Sequence, residues 1–425
     1  MPAPVSRTDP AVRPALSPWR FVVLFGVVSL LADMVYEGAR SIIGPYLATL
    51  GASALVVGVA AGAGEFIGYG LRVFSGYLVT RSRHYWSWTV IGYALTVLSV
   101  PLIGVTQSLA PALLLYGTER LGKAVRSPAK DTLLSHASTR TGSATAFGVH
   151  QAMDQVGAVA GPLILAGVLS WRSGDYRLAF AVLAVPGIAV LAVLTWLRRR
   201  VPDPASYEST EPDVHAVKGP GTRSSSDQTG KRPPLPLLLW RYVGAVAALS
   251  CGVASFPLLA FHAQTQGLLT EAQVPVLFAL AMLVDGLSGL VIGRAYDRHG
   301  PNVLLLVPVT ASFAAIAFTH EALLVWIGVA IWGIVNGILD STIKAVVTRL
   351  VSPTTRATAF GWLALVRGVG LLVAGGILGL AYDHSITLVI WLILAANAVA
   401  AAGLWSVLRH PDLHARSPVP ARPSS

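Results

Sequence analysis

The residues of this sequence that can do chemistry are charged and amide side chains set inside long apolar runs. Asp154 interrupts one such run near its middle, and Arg367 interrupts another much later in the chain. An ionisable side chain near the centre of a lipid bilayer costs several kcal/mol, so such a group indicates ion pairing, proton transfer or ligand binding. The candidate residues for a solute or proton pathway are Asp33, Glu37, Arg40, Glu65, Glu119, Gln151, Asp154, Asp285, Asp340, Lys344 and Arg367.

Three of these residues share one face of the first apolar run. Asp33, Glu37 and Arg40 are spaced at i, i+4 and i+7, which places them on one side of an α-helix. Glu37 and Arg40 can form a self-contained ion pair, and Asp33 then remains the freer carboxylate. In the second run Glu65 lies near the middle, on the same helical face as Arg72.

Two later runs contain oppositely charged residues at helical spacing. Glu119 and Lys123 are four residues apart, which fits either a structural pair or part of a charged vestibule. Asp340 and Lys344 have the same spacing, and here we expect a local ion pair.

The remaining acids differ in their neighbours. Asp285 has no opposite charge within four positions of its own run, so we expect it either to take up a proton or to pair with Arg367 from another helix. Asp154 has Gln151 and His150 three and four residues before it, which supply polar neighbours for a solute or a proton relay.

The elements that must hold these residues are membrane-spanning helices. The sequence is 54% apolar and only 12% charged, against about 25% charged residues in soluble domains, so most of its surface faces lipid. The apolar runs are continuous and long, which favours helices over the ten-residue alternation of a transmembrane barrel. We predict twelve spans, approximately at 19–47, 54–79, 87–105, 110–131, 142–169, 176–197, 238–262, 272–294, 302–319, 322–347, 356–380 and 386–407.

The formal charge of +11 is concentrated in the loops of one side. The loops of the other side carry only Arg172 and Arg177. This positive-inside pattern predicts an inner-membrane protein with both termini and the long central loop in the cytoplasm. Since no basic soluble domain is present, the charge does not indicate a nucleic-acid partner. Cys251 is the only cysteine, which excludes an intrachain disulfide, and we expect no metal or other cofactor.

A polar stretch divides the chain into two sets of six spans. It is rich in Ser, Thr, Pro, Asp and Lys, and we predict a disordered linker. The predicted organisation is a tail at 1–18, a six-helix bundle at 19–197, the linker at 198–237, a second six-helix bundle at 238–407 and a tail at 408–425.

The two halves contain an internal repeat. The stretch TAFGVHQAMDQVGAVAGPL from Thr145 aligns without gaps on TAFGWLALVRGVGLLVAGG from Thr358, so the fifth and eleventh spans look like copies. The alignment puts Asp154 and Arg367 at equivalent positions, about twelve residues from the same end of each span. We expect either a central site with a negative N-terminal wall and a positive C-terminal wall, or a permanent salt bridge between the two halves.

Six plus six spans around a long central loop resemble the major facilitator superfamily. The loop GRAYDRHGPN resembles that family's cytoplasmic signature, with Gly293 for close helix contact, Asp297 for pairing with an Arg or a helix N-terminus, and Arg298 for anchoring at lipid phosphates, before Gly300. The first-half counterpart keeps only Gly76 and Arg81, as Thr80 and Arg83 stand where Asp and Gly are expected. The fifth span resembles part of a motif of the family's antiporters, at Gly148, Gly157, Gly161 and Pro162.

This resemblance implies an all-α membrane protein with two six-helix bundles related by a pseudo-two-fold axis. It implies a secondary transporter that moves a small solute across the membrane by alternating access, and not an enzyme. The surplus of mid-membrane acids favours proton coupling, and the incomplete antiporter motif favours efflux of a drug or metabolite. A proton-coupled importer and a polytopic membrane enzyme are the alternatives, although no HExxH or Gly-x-Ser-x-Gly motif supports the enzyme. The expected partners are a small-molecule substrate, protons and the lipid bilayer, with the protein as a monomer.

Overall fold

The computed structural model describes residues 16–138, 141–207, 235–352 and 355–411, without the side chains of residues 143 and 144. Within these ranges it is helical and has no strand. Long apolar segments become helices in lipid because the helix satisfies the backbone hydrogen bonds internally. The α-helices are α1 (Pro18–Thr49), α2 (Ala54–Ser82), α3 (Tyr85–Ile103), α4 (Leu109–Ser138), α5 (Ser143–Trp171), α6 (Tyr176–Val182), α7 (Ala184–Arg200), α8 (Leu237–Cys251), α9 (Phe256–Thr265), α10 (Gln273–His299), α11 (Leu306–Ala314), α12 (Ala322–Leu350), α13 (Arg356–His384) and α14 (Ile386–Leu408).

Ten helical stretches of the described chain are long and apolar enough to cross a membrane. One of them, Gln273–Phe318, is 46 residues long and turns at Gly300, whose φ of 72° favours glycine, so it makes two passes. Helix α4 has the length of a further pass at 30 residues but carries too many charges to count as apolar. The chain therefore makes the twelve passes that the sequence predicts, with the ninth formed by α11 and short 3₁₀ segments on either side of it.

Two of the passes are broken near their middle. In the sixth, Leu183 alone separates α6 from α7, and in the seventh residues 252–255 separate α8 from α9. Other helices satisfy the backbone at the second break: Asn397 Nδ2 donates to Gly252 O at 2.8 Å, and Trp332 Nε1 donates to Ala254 O at 2.8 Å. The break thus exposes main chain at mid-membrane depth without leaving these two carbonyl groups unpaired.

The internal repeat is visible in the helices themselves. Helices α5 and α13 are both 29 residues long, and their bounds coincide under the displacement that the sequence alignment predicts. Gly157 of α5 packs against the backbone of α1 at Leu30, and its counterpart Gly370 of α13 packs against α8 at Ser250. Each half is thus a bundle in which the fifth helix closes on the first.

The predicted linker is partly structured, so the prediction of disorder from residue 198 onward is wrong for its first ten residues. The basic triplet ending at Arg200 completes α7, and Trp86 Nε1 donates to Val201 O at 3.0 Å. Tyr207 packs on Phe21 and donates its hydroxyl to Leu16 O at 3.0 Å, and burial raises the pKa of Tyr207 to about 12. Tyr207 is therefore buried against α1 although it belongs to a polar stretch of the sequence. Residues 208–234 lie outside the described ranges.

We call the membrane face at which α1 begins and α14 ends the near face, and the opposite one the far face. The two halves pack closely on the far side. Gly58 of α2 faces Gly375 of α13 with no space for a side chain at either position, and Gly44 of α1 packs in the same manner on Pro257 of α9. Glycines allow this close approach of backbones.

Candidate functional site

A cavity of about 240 Å³ lies between the two halves near the middle of the membrane passes. Helices α1, α2, α4 and α5 line it on one side, and the α8–α9 break, α10, α12 and α13 line it on the other. Nine of the eleven residues predicted to form a solute or proton pathway line this one space, namely Asp33, Glu37, Arg40, Glu65, Gln151, Asp154, Asp285, Asp340 and Arg367. The internal repeat brings them together because equivalent helices of the two halves face each other.

Five charged side chains of the N-terminal half form an ion-pair chain, Glu37, Arg40, Glu65, Arg120 and Glu119. Arg40 lies 3.6 Å from Glu37 and 3.2 Å from Glu65, Arg120 lies 3.7 Å from Glu65, and Arg120 Nε lies 3.0 Å from Glu119. The predicted pair of Glu37 with Arg40 is present, and it extends through Glu65 to helix α4. This ion-pair chain therefore connects α1, α2 and α4 inside the membrane.

Glu119 pairs with Arg120, so of the two alternatives for Glu119 and Lys123 the structural pair is absent. The ammonium of Lys123 lies 4.3 Å from the ring centre of Tyr36, where a cation–π contact takes the place of the ion pair. Arg120 is 1% exposed and lies behind the cavity wall with Glu119. Arg120 was not among the predicted residues, because an adjacent residue on a helix does not normally face its neighbour, although an Arg next to an acid in an apolar run was itself an indication.

A second polar group surrounds Asp154. His150 Nδ1 lies 3.1 Å from its carboxylate and Lys130 Nζ lies 3.9 Å away, so the predicted neighbour His150 is in contact. Arg126 stacks over Tyr93 at 4.4 Å, behind the cavity wall. Asp33 lines the cavity at 6% exposure and makes no hydrogen bond or ion pair with the described residues.

The C-terminal wall carries one ion pair and one isolated acid. Arg367 lies 3.3 Å from Asp340 and over the ring of Tyr69 at 4.9 Å. Lys344 is exposed, so the predicted local pair of Asp340 with Lys344 is wrong. The cause is that Arg367 reaches Asp340 from the neighbouring helix. Asp285 has no Lys or Arg within 4.0 Å among the described residues.

Arg367 also does not pair with Asp154, so of the two alternatives for these residues the permanent salt bridge between the halves is absent. Each group has found partners in its own half. The C-terminal wall is not positive either, because Asp340 and Asp285 outnumber Arg367. A hydrogen bond between the two halves near this depth runs from Gln155 Nε2 to Met282 O, a contact that the sequence did not predict.

The motif glycines divide into packed and open positions. Gly157 and Gly161 pack against α1, beside Leu30 and Met34. Gly148 and Gly293 have open space where a side chain would lie, so the close helix contact predicted for Gly293 is wrong and Gly148 does not pack closely as the motif glycines Gly157 and Gly161 do. Pro162 continues helix α5 without ending it.

The signature loops at the near face make few charged contacts. Gly300 forms the turn, as its positive φ requires, and Gly76 lies at ordinary distance from Pro128. Arg81 approaches only the Tyr77 hydroxyl, at 3.5 Å. Asp297 and Arg298 have no ion pair among the described residues, in contrast to the pairing expected for Asp297. The charged contact of this region is instead Arg72 with Asp131, at 2.6 Å, which links α2 to α4.

The far side of the cavity is closed by contacts between the halves. The carboxylate of Asp383, at the end of α13, accepts hydrogen bonds from the backbone of Ala54 and Leu55 at 3.0 Å each, and so caps the N-terminus of α2. Tyr176 donates to Gln264 Oε1 at 2.9 Å nearby. On the near side α10 is different: Leu287, Leu290 and their neighbours are exposed, whereas its far half is mostly buried.

A sequence profile of the Major Facilitator Superfamily matches residues 25–373, with a second match over residues 243–425. This chain belongs to the major facilitator superfamily. The resemblance drawn from the loop after the eighth span is thus confirmed, together with the two-bundle helical fold. The protein is a multi-pass membrane transporter and not an enzyme.

Relatives and solved structures agree with this assignment. An uncharacterized protein of Mycobacterium tuberculosis is 46% identical over 93% of this chain and 95% of its own length. An uncharacterized MFS-type transporter of Methanocaldococcus jannaschii is 25% identical over 84% of this chain and 87% of its own length. The nucleoside transporter NupG has the same fold with a TM-score of 0.69 at 12% identity, covering 92% of this chain and 99% of that one. A bacterial homologue of the lysosomal transporter Spinster, in an inward-facing conformation, has a TM-score of 0.64 at 16% identity, covering 95% and 98%.

Proposed function

We propose that this protein moves a small solute through the central cavity by alternating access, with protons as the coupling ion and export as the direction. The observation that carries the proposal is the cavity itself, which is lined by both halves and closed on the far side only by contacts between them. Rocking of the two bundles would break those contacts and expose the same lining residues to the other face.

We further propose that the near face is cytoplasmic. Arg81, Arg83 and the Arg198 to Arg200 triplet lie at this face, and the far face carries few basic residues. The conformation described is then inward-facing, with its cavity closed toward the outside.

Proton coupling is supported by the carboxylates that line the cavity without a basic partner. Asp33 and Asp285 lie on opposite halves, so each can exchange a proton with water from whichever side is open. Export is supported by Gly157, Gly161 and Pro162 of the antiporter-like motif in α5, two glycines of which pack closely against α1.

Alternating access can be tested by thiol accessibility before any solute is known. Ser255 lines the cavity, so Ser255→Cys in a Cys251→Ala background is the reporter, labelled with a membrane-impermeant maleimide from each face of oriented vesicles. We expect labelling mainly from the near face. Gly375→Trp should wedge the α2–α13 contact open and increase far-face labelling at least fivefold, because no space exists there for a side chain.

The matched control is Gly167→Trp on α5, where an added side chain meets open space. It should leave the labelling pattern unchanged. If the Gly375→Trp protein folds but labels from the same face as the parent, opening does not occur at this contact and the alternating-access proposal fails.

Direction and coupling need a solute. Compounds that raise the melting temperature of the purified protein can be tested in proteoliposomes that contain a pH-sensitive dye. If the solute moves and the internal pH stays unchanged, transport is not coupled to protons. If the solute and protons cross the membrane in the same direction, the protein is an importer and not an exporter.

A further inference from the structure

The charges around the cavity can be counted, and they do not balance. The lining contains six carboxylates and three basic side chains. With histidine counted as neutral, as for His150 beside Asp154, the charged residues of the described chain that contact this lining from behind are Glu119, Arg120, Arg126 and Lys130. Together they amount to seven carboxylates and six cations, so one negative charge is left over.

The N-terminal half is balanced, with five groups of each sign. Its acids are Asp33, Glu37, Glu65, Glu119 and Asp154, and its bases are Arg40, Arg120, Lys123, Arg126 and Lys130. Most of them are joined in the ion-pair chain or around Asp154, within 4.0 Å of an opposite charge.

The uncompensated charge therefore lies in the C-terminal half. Arg367 is committed to Asp340 at 3.3 Å, and Asp285 is the acid without a basic partner among the described residues. Asp285 lies twelve residues after the first residue of the 27-residue helix α10, close to its middle. A carboxylate held at this depth is costly unless a positive charge or a proton neutralises it.

We propose that the substrate is a small organic cation carrying one positive charge, an amine or a quaternary ammonium, and that Asp285 is the group that compensates it. This inference rests on the proposed transport function and specifies its substrate class. A second observation supports it: Asp33, across the cavity, is 6% exposed, faces the same space and has no hydrogen bond or ion pair within the described chain.

The rest of the lining fits such a solute. The cavity volume of about 240 Å³ is just below the range of roughly 300–1,000 Å³ that is usual for ligand sites, which favours a small molecule. Trp332 supplies an aromatic wall, and Gln151 and Asn336 supply amide groups for a polar substituent. The rings of Tyr36 and Tyr69 already carry Lys123 and Arg367, so the protein itself shows that aromatic faces here accept cations.

One leftover charge has a consequence for coupling. Either a proton bound to the Asp285 carboxylate or an ammonium ion paired with it compensates the charge, so the two compete. Binding of the cation to protonated Asp285 releases one proton, and the exchange of one for the other is an antiport. The charged groups that line the cavity around Asp285 are Asp340 on α12 and Arg367 on α13 from its own half, and Glu37 and Arg40 on α1 and Asp154 on α5 from the opposite half.

The test uses sets of compounds that share one skeleton and differ in charge. The sets are hexyl, cyclohexylmethyl and 4-phenylbutyl compounds, each as the amine, the trimethylammonium, the alcohol and the carboxylate. Melting temperature and equilibrium binding are measured on the purified full-length protein. At least one skeleton should bind as the cation at least 10-fold more tightly than as the alcohol or the carboxylate.

The trimethylammonium form does not titrate, so the pH dependence of its affinity reports on the protein. We expect its affinity to fall as the pH is lowered, because protons compete for Asp285. Asp285→Asn should weaken its binding about 10-fold to 100-fold and abolish the pH dependence, and Asp285→Glu should restore both. Asp131→Asn is the matched control, since that acid pairs with Arg72 outside the cavity and its loss should leave binding unchanged.

The proposal is overturned if no cation binds, or if the alcohol or carboxylate of every skeleton binds as tightly as the cation. It is also overturned if Asp285→Asn, folded with the melting temperature of the parent, binds the cation as before. These results would leave the alternating-access proposal standing, because the maleimide experiment on Ser255→Cys tests that function without any ligand.

Discussion

The interiors of the two halves differ in how their charges are compensated. Around the cavity, ten charged side chains of the N-terminal half balance one another, and the ion-pair chain connects three helices. The C-terminal half lines the cavity with three charged side chains, of which Asp340 and Arg367 form a pair and Asp285 has no basic partner among the described residues. The two halves of the repeat thus have equivalent helices but different patterns of charged residues. The ion pairs join three helices of the N-terminal half to one another. The carboxylate of Asp285 in the C-terminal half has no such partner among the described residues and can bind a cation or a proton.

The largest effect should follow from breaking the ion-pair chain at its most buried link. Glu119→Gln removes the carboxylate 3.0 Å from Arg120, a guanidinium that is 1% exposed. Because this leaves a buried charge without its nearest partner, we expect a loss of about 3 kcal/mol in the free energy of unfolding in detergent.

A double substitution separates this cause from a general packing defect. Glu119→Gln with Arg120→Met removes both charges and should recover most of the lost stability. A double variant that is as unstable as the sum of the two single ones would show that the pair contributes nothing as a pair.

The second prediction compares equivalent glycines of the two halves. Gly157→Ala pushes a methyl group into the backbone of Leu30, whereas Gly370→Ala meets the Cβ of Ser250 at 2.9 Å and the backbone oxygen of Ala247 at 3.1 Å, which is a less severe overlap. We expect Gly157→Ala to cost about 2 kcal/mol and Gly370→Ala less. Gly148→Ala, at an open position of α5, serves as the control and should cost little. Equal losses at Gly157 and Gly370 would mean that the two bundles close on their first helices equally tightly.

The helices were predictable from the sequence because few backbone conformations satisfy their hydrogen bonds within a lipid bilayer. Continuous apolar runs must satisfy their backbone locally, and the aligned stretches from Thr145 and Thr358 correspond to two helices with matching bounds. The residues that line the cavity were predictable for the same reason, since a charge in such a run has to face another helix or a water-filled space.

The partners of those residues were not predictable. Lys123 and Lys344 each lie four residues from an acid, yet Glu119 pairs with Arg120 and Asp340 pairs with Arg367. For Asp340 the choice depends on the rotation of the neighbouring helix α13, and a single sequence contains no information on that rotation, whereas the adjacent Arg120 could have been considered for Glu119. The break before α9 was missed as well, because Asn397 and Trp332, which stabilise it, come from distant passes.

A third prediction concerns the single ion pair of the C-terminal half. The side chain of Asp340 is 64% exposed, so its pair with Arg367 is well solvated and weaker than a buried one. Asp340→Asn should cost less than about 1 kcal/mol in the free energy of unfolding. A loss as large as that of Glu119→Gln would contradict the contrast drawn between the two halves.

The smallest effect on stability is expected at Asp285, and its sign is informative. No basic partner within 4.0 Å is stranded when Asp285→Asn removes the carboxylate, and an uncompensated charge at mid-membrane depth is lost. We therefore expect the free energy of unfolding to stay within about 1 kcal/mol of the parent, on the stabilising side. If Asp285 lowers the stability of the fold and makes no stabilising contact, its role is to bind a ligand or a proton. A clear destabilisation by Asp285→Asn, measured beside Glu119→Gln under the same conditions, would instead make Asp285 a structural residue and remove the difference between the two halves.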